Sequence, residues 1–267
     1  FVAATVNGAL GYGFSSITMP VALLFYTNRI LNPAMVLVEL VLNSYVLFLN
    51  RQNIPNIFRR VVPILIGLAM GVAIGSYILS MVQPAWVKFV TYFMLLPLIL
   101  LQAAGIRKPI KAEKTIGVPF GVGIGTLYSV TTISGPPLAL LFNNQGYEKQ
   151  DFRAALGVIR VAEATLTAIA YGIIGFYSVE SMKVMPYIVP SVLLGIPLGV
   201  FLIRWMDPET FRRLCMSFDA VVVGFGLSRV LVDLKLASTF ATYSILSIVV
   251  LLNAFLLYRY FQGRAAP

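Results

Sequence analysis

Four ionisable side chains lie well inside apolar segments of this sequence: Glu39, Arg160, Glu163 and Asp219. Charge in such a setting is costly, and it marks a substrate or proton path unless it is merely paired. Arg160 stands three residues before Glu163, so on a helix the two share a face and are able to pair. That leaves two readings. Arg160–Glu163 is a structural ion pair, or Arg160 helps bind an anion while a buried glutamate carries a proton. Glu39 has no basic partner in its own segment, which makes it the stronger proton carrier. Asn43, about one turn after Glu39, either lines the same cavity or bonds to a neighbouring helix. Asp219, about two turns past Arg212 and Arg213, is placed to neutralise them.

A second set of polar groups clusters where two apolar segments are interrupted. In the segment 115–146, Thr131-Thr132-Ile133-Ser134-Gly135-Pro136-Pro137 separates two apolar arms, each shorter than the ~20 residues a helix needs to cross a bilayer. Proline lacks the backbone donor and pushes the preceding residue out of the helical region. The expected structure is a short helix, an unwound knot, and a second short helix opened by the proline pair. Its free N–H groups and positive dipole end suit an anion. The segment 3–27 has the same character, with Gly8, Gly11, Gly13, Ser15, Ser16 and Thr18 ahead of Pro20. Ser15, Ser16, Thr18, Thr131, Thr132, Ser134 and the backbone at Gly135 are thus candidate substrate ligands. Hydroxyls in apolar helices also bond back to their own carbonyls, which is the plainer reading. Arg29 and Arg153 open equivalent segments and either attract anions at the mouth or anchor at headgroups.

These elements belong to a duplication. Pro20-Val-Ala-Leu-Leu-Phe25 superimposes on Pro137-Leu-Ala-Leu-Leu-Phe142, and further on Arg29 pairs with Arg153, Glu39 with Glu163, Gly71 with Gly195, Gly75 with Gly199 and Pro84 with Pro208. Interrupted segments at matching places in two halves are the sequence pointer to a transporter's substrate site. The first half, 1–106, holds apolar stretches at 33–50, 60–82 and 86–104. A basic linker, 107–114, follows. The second half, 115–232, holds stretches at 154–175, 184–205 and 211–231, and an added stretch at 237–260 has no counterpart. If both broken segments cross the membrane, the cations divide almost evenly between its sides. If each enters and returns on one side, most gather there, leaving only Arg29, Lys88, Lys183, Arg229 and Lys235 opposite. Cytoplasmic loops carry the excess of Lys and Arg. The expected fold is therefore an all-α integral membrane protein of two inverted repeats, each a re-entrant hairpin plus three transmembrane helices, with one extra C-terminal helix. This makes seven full spans, hairpin tips meeting near the midplane, and basic loops 51–60 and 107–114 in the cytoplasm. Gly67, Gly71 and Gly75, echoed by Ser191, Gly195 and Gly199, read as close helix packing.

Composition sets the class. In 267 residues, 59% are apolar and 11% charged, which is an integral membrane protein without room for a soluble domain. The net charge of +10 sits in short loops and is topology information, so no nucleic-acid partner is expected. One cysteine allows no intrachain disulfide, and the absence of histidine removes His-based metal sites and bases. No metal, no cofactor and no catalytic nucleophile–base pair is expected, nor any Walker phosphate loop, so the chain reads as no enzyme. Transport would draw on a gradient or be passive. The chain begins at Phe1 rather than Met, which leaves residues upstream open.

Gly123-Ile-Gly125, Ser134-Gly135-Pro136-Pro137 and Asp151-Phe152-Arg153-Ala-Ala-Leu156, with Gly8, Gly11-Tyr-Gly13 and Pro20 in the first copy, resemble the TauE/SafE sulfite-exporter family, also called the toluene-sulfonate uptake permease group. The first copy departs from the family's glycine triplet, reading Gly11-Tyr12-Gly13-Phe14-Ser15. The resemblance spans nearly the whole chain. It implies a carrier of the bacterial cytoplasmic (inner) membrane for sulfite, sulfoacetate or related sulfonates, often an exporter. Two rivals stand beside a proton-linked carrier of a small anion. An anion channel, or a carrier of a non-sulfur organic anion, would use the same elements, whereas a membrane scaffold would have no reason to keep paired buried glutamates. The partners expected are a small anionic substrate, the lipid bilayer and protons as coupling ion, with the oligomeric state open.

Overall fold

A computed structural model of the chain describes all residues except 11–12, 105–112, 145–148, 203–204, 206–207 and 266–267. Among the described residues the regular structure is helical: α1 (Val2–Leu10), α2 (Phe14–Ala22), α3 (Asn28–Leu49), α4 (Ile54–Met81), α5 (Pro84–Ala103), α6 (Glu113–Thr131), α7 (Gly135–Asn144), α8 (Lys149–Ile174), α9 (Val179–Leu202), α10 (Pro208–Asp233) and α11 (Thr239–Ala265). A single 3-10 turn, Arg51–Asn53, leads into α4.

Six described helical stretches are long and apolar enough to cross a membrane: Asn28–Phe48, Arg51–Met81, Pro84–Leu101, Asp151–Ile174, Val179–Gly199 and Thr239–Gln262. This is a multi-pass membrane protein. The expected seventh span falls on α10, whose apolar run carries Asp219, Arg229 and Asp233. The expected stretches fall on helices that begin a turn or so earlier than the apolar signal, because their first turns are polar. α3 starts at Asn28 and not at Pro33, and α8 starts at Lys149 and not at residue 154. The basic linker 107–114 lies outside the described residues up to residue 112, after which α6 opens at Glu113.

Both interruptions are present, but they are built differently. In the second, α6 ends at Thr131 and α7 begins at Gly135, with Pro136 and Pro137 in its first turn. There their missing N–H groups would be unpaired in any case. Thr132 adopts a left-handed φ of 57°, a backbone state that a β-branched residue occupies only under strain. In the first, Pro20 does not open a helix. It lies inside α2, and the interruption comes earlier, at Gly13 with φ 106°. Glycine takes that conformation without a Cβ penalty. Ser15, Ser16 and Thr18 consequently sit on the helix after the break rather than in it.

The chain separates into two compact units that do not follow the two halves of the duplication. One comprises 1–27, 83–106 and 194–267, and the other 28–82 and 107–193. In the second unit α4 packs closely on α6. A Cβ at Gly67 would meet Val118 O, at Gly71 it would meet Val122 O, and at Gly121 it would meet Ile64 O. The glycines thus serve as packing surfaces that bring two backbones together. α3 packs on α8, its counterpart in the duplication, and the pairs 39 with 160 and 32 with 171 show the two running antiparallel. In the first unit α5 packs on its counterpart α10, and Gly226 abuts the ring of Tyr92. α1 meets the end of α9, where a Cβ at Gly8 would strike Ile196 O and one at Gly195 would strike Ala4.

Candidate functional site

The polar groups of the 28–82/107–193 unit gather along the facing sides of α3 and α8 and at the interruption after α6. On α3, Asn28, Asn32, Glu39 and Asn43 recur at three- and four-residue multiples, and on α8 so do Arg160, Glu163, Thr167 and Tyr171. Every one of these eight side chains is buried. Each therefore needs a partner or a reason to lack one.

The centre is an ion pair between the two helices. Arg160 Nη2 donates to Glu39 Oε1 at 2.8 Å, with the two side chains 3% and 0% exposed. Tyr128 on α6 donates its hydroxyl to the other oxygen, Glu39 Oε2, also at 2.8 Å. The partner of Arg160 is thus Glu39 and not Glu163, as the three-residue spacing on α8 suggested. Sharing a helix face brings side chains together, but the antiparallel neighbour offers Arg160 a carboxylate straight across. The roles of the two glutamates change accordingly. Glu39 is the cation-bound one, and Glu163 is bonded by a neutral hydroxyl.

Ser134 supplies that hydroxyl, donating to Glu163 Oε2 at 2.6 Å. The interruption is in this way tied to the glutamate of α8. Its threonines do different work. Thr131 Oγ1 donates to Leu127 O at 2.7 Å and accepts from the Ile133 N–H at 3.0 Å, and Thr132 Oγ1 donates to Thr131 O at 2.7 Å. Their donors are spent on local backbone, the plainer of the two readings for hydroxyls in apolar segments. Gly135 is buried at the start of α7.

The carbonyls freed at the end of α6 are met by side chains that the sequence reading missed. Asn28 and Asn32 donate to Val130 O at 3.2 and 2.7 Å, and Tyr171 donates to Ser129 O. Asn32 also donates to the Tyr171 hydroxyl at 3.3 Å. A four-residue recurrence of amides on an otherwise apolar helix was the available signal for Asn28 and Asn32. Tyr128 and Tyr171 carried none, because an isolated tyrosine in an apolar segment resembles any core aromatic.

Several buried polar atoms here have no hydrogen-bond partner: Arg160 Nε and Nη1, Asn43 Nδ2, Thr167 Oγ1 and Glu163 Oε1. Of these, three are obligate nitrogen donors; each forked edge of the guanidinium joins Nη2 to either Nε or Nη1, so the edge that Glu39 leaves open offers an oxyanion one free nitrogen and the second N–H of Nη2. Asn43 does not bond through its amide nitrogen to a neighbouring helix, which was one of its two expected roles.

Arg29 is explained without a substrate. It donates to Leu79, Ser80 and Val82 carbonyls at 3.0, 2.7 and 2.9 Å, closing the C-terminal end of α4. Ser15, Ser16 and Thr18 belong to the other unit, where Ser15 and Ser16 are buried. In that unit too is Asp219, 0% exposed, with neither carboxyl oxygen hydrogen-bonded. It does not pair with Arg213, which stacks on the Tyr260 ring. No group of three or more His, Cys, Asp or Glu able to hold a metal occurs among the described residues.

Compared with known proteins, residues 1–227 match the model of a family described as Sulfite exporter TauE/SafE. No curated protein and no solved structure matches.

Proposed function

This chain belongs to the TauE/SafE sulfite exporter family, and from that premise we propose that it is a proton-linked secondary transporter of sulfite or a small organosulfonate, working in the export direction across a bacterial inner membrane. The observation that carries this reading is Arg160. It is buried, held by Glu39 through one nitrogen, and presents Nε and Nη1 without a partner. A sulfur oxyanion takes the free nitrogen on the edge that Glu39 leaves open, with the second N–H of Nη2 completing the fork. The unpaired Nδ2 of Asn43 is a further donor, and Glu163, bonded to Ser134, is the proton carrier.

Proton and anion are coupled in this reading because they share one small network. An anion on Arg160 competes with Glu39 for the guanidinium, and the added negative charge favours protonation of the nearby carboxyl. The Ser134 bond conveys a change at Glu163 to the interruption between α6 and α7. The antiparallel packing of counterpart helices α3 on α8 and α5 on α10 supports inverted repeats. We place the broken segments as re-entrant hairpins on the side of loop 51–60, which is then cytoplasmic.

The test is thermal stabilisation of the purified chain by a panel of anions, since only a ligand of the folded state raises the melting temperature. Sulfite or sulfoacetate should stabilise the wild type, and neither should stabilise Arg160→Ala or Arg160→Lys. Lysine has no fork with which to hold Glu39 and an oxyanion together. Stabilisation by a carboxylate and by no sulfur anion would refute the substrate class. Stabilisation that survives Arg160→Ala would refute the site.

A further inference from the structure

The proposal above leaves one buried acid unused. Asp219 sits on α10 among Met216, Ala220 and Val223, each 0% exposed, and is itself 0% exposed. Both of its oxygens are without a hydrogen bond. The bond from Asn253 Nδ2 to Ser217 O, and the contact of Gly224 with Val249, set it level with the middle of the α11 span Thr239–Gln262.

Among the described side chains, the charged and titratable groups of the helices packed on α10 lie elsewhere along it. The helices packed on α10 are α5, α11, α1 and α2. α1 and α2 carry no such group. On α5, Lys88 donates to Leu23 O and faces Arg229 and Asp233, while Tyr92 donates to Pro20 O beside Gly226. On α11, Tyr243 lies against Phe225, Tyr260 lies against Thr210 and Arg213, and Tyr258 bonds with Gln262 near the helix end, flanking Arg259. These groups stand roughly two turns or more from Asp219 on either side, while the side chains of Arg212 and Cys215 on α10 lie outside the described ones. A carboxylate without hydrogen-bond donors is expensive in such a place. A metal cation would ask for six or more oxygens.

We infer that Asp219 is a second proton-binding site of this transporter, lying in the unit that does not contain the Arg160–Glu39 pair, and that it loads and unloads its proton during the transport cycle. The inference rests on the transport reading but not on Arg160.

Infrared difference spectra of the full chain in liposomes test it, with sulfite as the probe. A carboxylic-acid carbonyl band should be present in the wild type, missing in Asp219→Asn and displaced in Asp219→Glu. It should bleach reversibly as the pH rises and respond to sulfite. Asp219→Asn should keep the melting shift with sulfite and lose sulfite accumulation driven by an imposed pH gradient. Spectra of Asp219→Asn identical to the wild type at every pH would overturn the inference, as would an acid band indifferent to both pH and sulfite. Bleaching by sodium at fixed pH would make it a cation site and overturn it too. If Asp219→Asn does not fold, carbodiimide modification of the wild type, read by peptide mass, replaces it. The reaction requires the acid form, so modification at Asp219 must fall as pH rises. Absence of any sulfite melting shift in the wild type would instead count against the Arg160 reading, with the pH titration of the band still legible.

Discussion

At the residue scale the chemistry turns on which donor reaches which carboxyl. Tyr128 holds Glu39 Oε2 while Arg160 holds Oε1, so the carboxylate is fixed from two helices. Removing the phenol hydroxyl takes one hydrogen bond from a buried carboxylate. Tyr128→Phe should therefore destabilise the protein by about 1–3 kcal/mol, the range for a hydrogen bond to a charged group. A melting experiment in detergent reads this, and an unchanged midpoint would mean that the bond contributes nothing. Glu163 makes a different prediction. Glu163→Gln preserves size and an oxygen that accepts from Ser134, but it cannot exchange a proton. Sulfite flux in liposomes should become insensitive to pH while the sulfite melting shift persists. Flux with an unaltered pH profile would remove Glu163 from the proton path. The buried charges were legible as suspects from sequence because an ionisable group in an apolar run has few innocent explanations. Their partners were not. Pairing Arg160 with Glu39 depends on α3 and α8 lying antiparallel, a fact of tertiary packing that spacing along one helix cannot encode.

At the element scale, α4 and α6 test whether glycine spacing is packing. A methyl group at Gly71 would enter the space of the Val122 carbonyl, so Gly71→Ala must push two backbones apart. We expect a loss of about 1–3 kcal/mol, as for other overpacked contacts. Gly123 is the control on the facing helix, since a Cβ there meets nothing within 4 Å. Gly123→Ala should be neutral or stabilising by up to ~1 kcal/mol, because alanine is the better helix former. Equal effects at the two positions would contradict the packing role. The glycine repeat and the Ser-Gly-Pro-Pro interruption were readable because both rest on local backbone rules. The first interruption was read only as a broken segment, 3–27, with Gly13 among its glycines. Pro20 matches Pro137 in the duplication, yet the break belongs to Gly13, whose freedom to take a positive φ outweighs the proline signal.

At the scale of the whole molecule, orientation is the open expectation with the sharpest test. If the hairpins are re-entrant, cysteines replacing Gln52 and Lys149 should be labelled from the cytoplasmic side and one replacing Tyr26 from the opposite side, in a background lacking Cys215. Labelling of positions 26 and 149 from one face would mean that the broken segment between α6 and α7 crosses completely. The membrane class was evident in the sequence. The partition into two compact units was not, because similarity between halves says nothing about which helices of one half pack with which of the other.

That partition has a consequence for biogenesis. Residues 1–27 belong with 83–106 and 194–267, so α1 and α2 leave the ribosome long before most of their own unit exists. At translation rates of about 5–20 residues per second, α1 and α2 wait on the order of ten seconds or more for α10. During that interval Gly8, Ser15 and Ser16 face lipid or an insertion chaperone instead of their final neighbours. A nascent chain stopped near residue 193 would thus carry one completed unit together with α1, α2 and α5 of the other, which is the species that membrane quality control would meet.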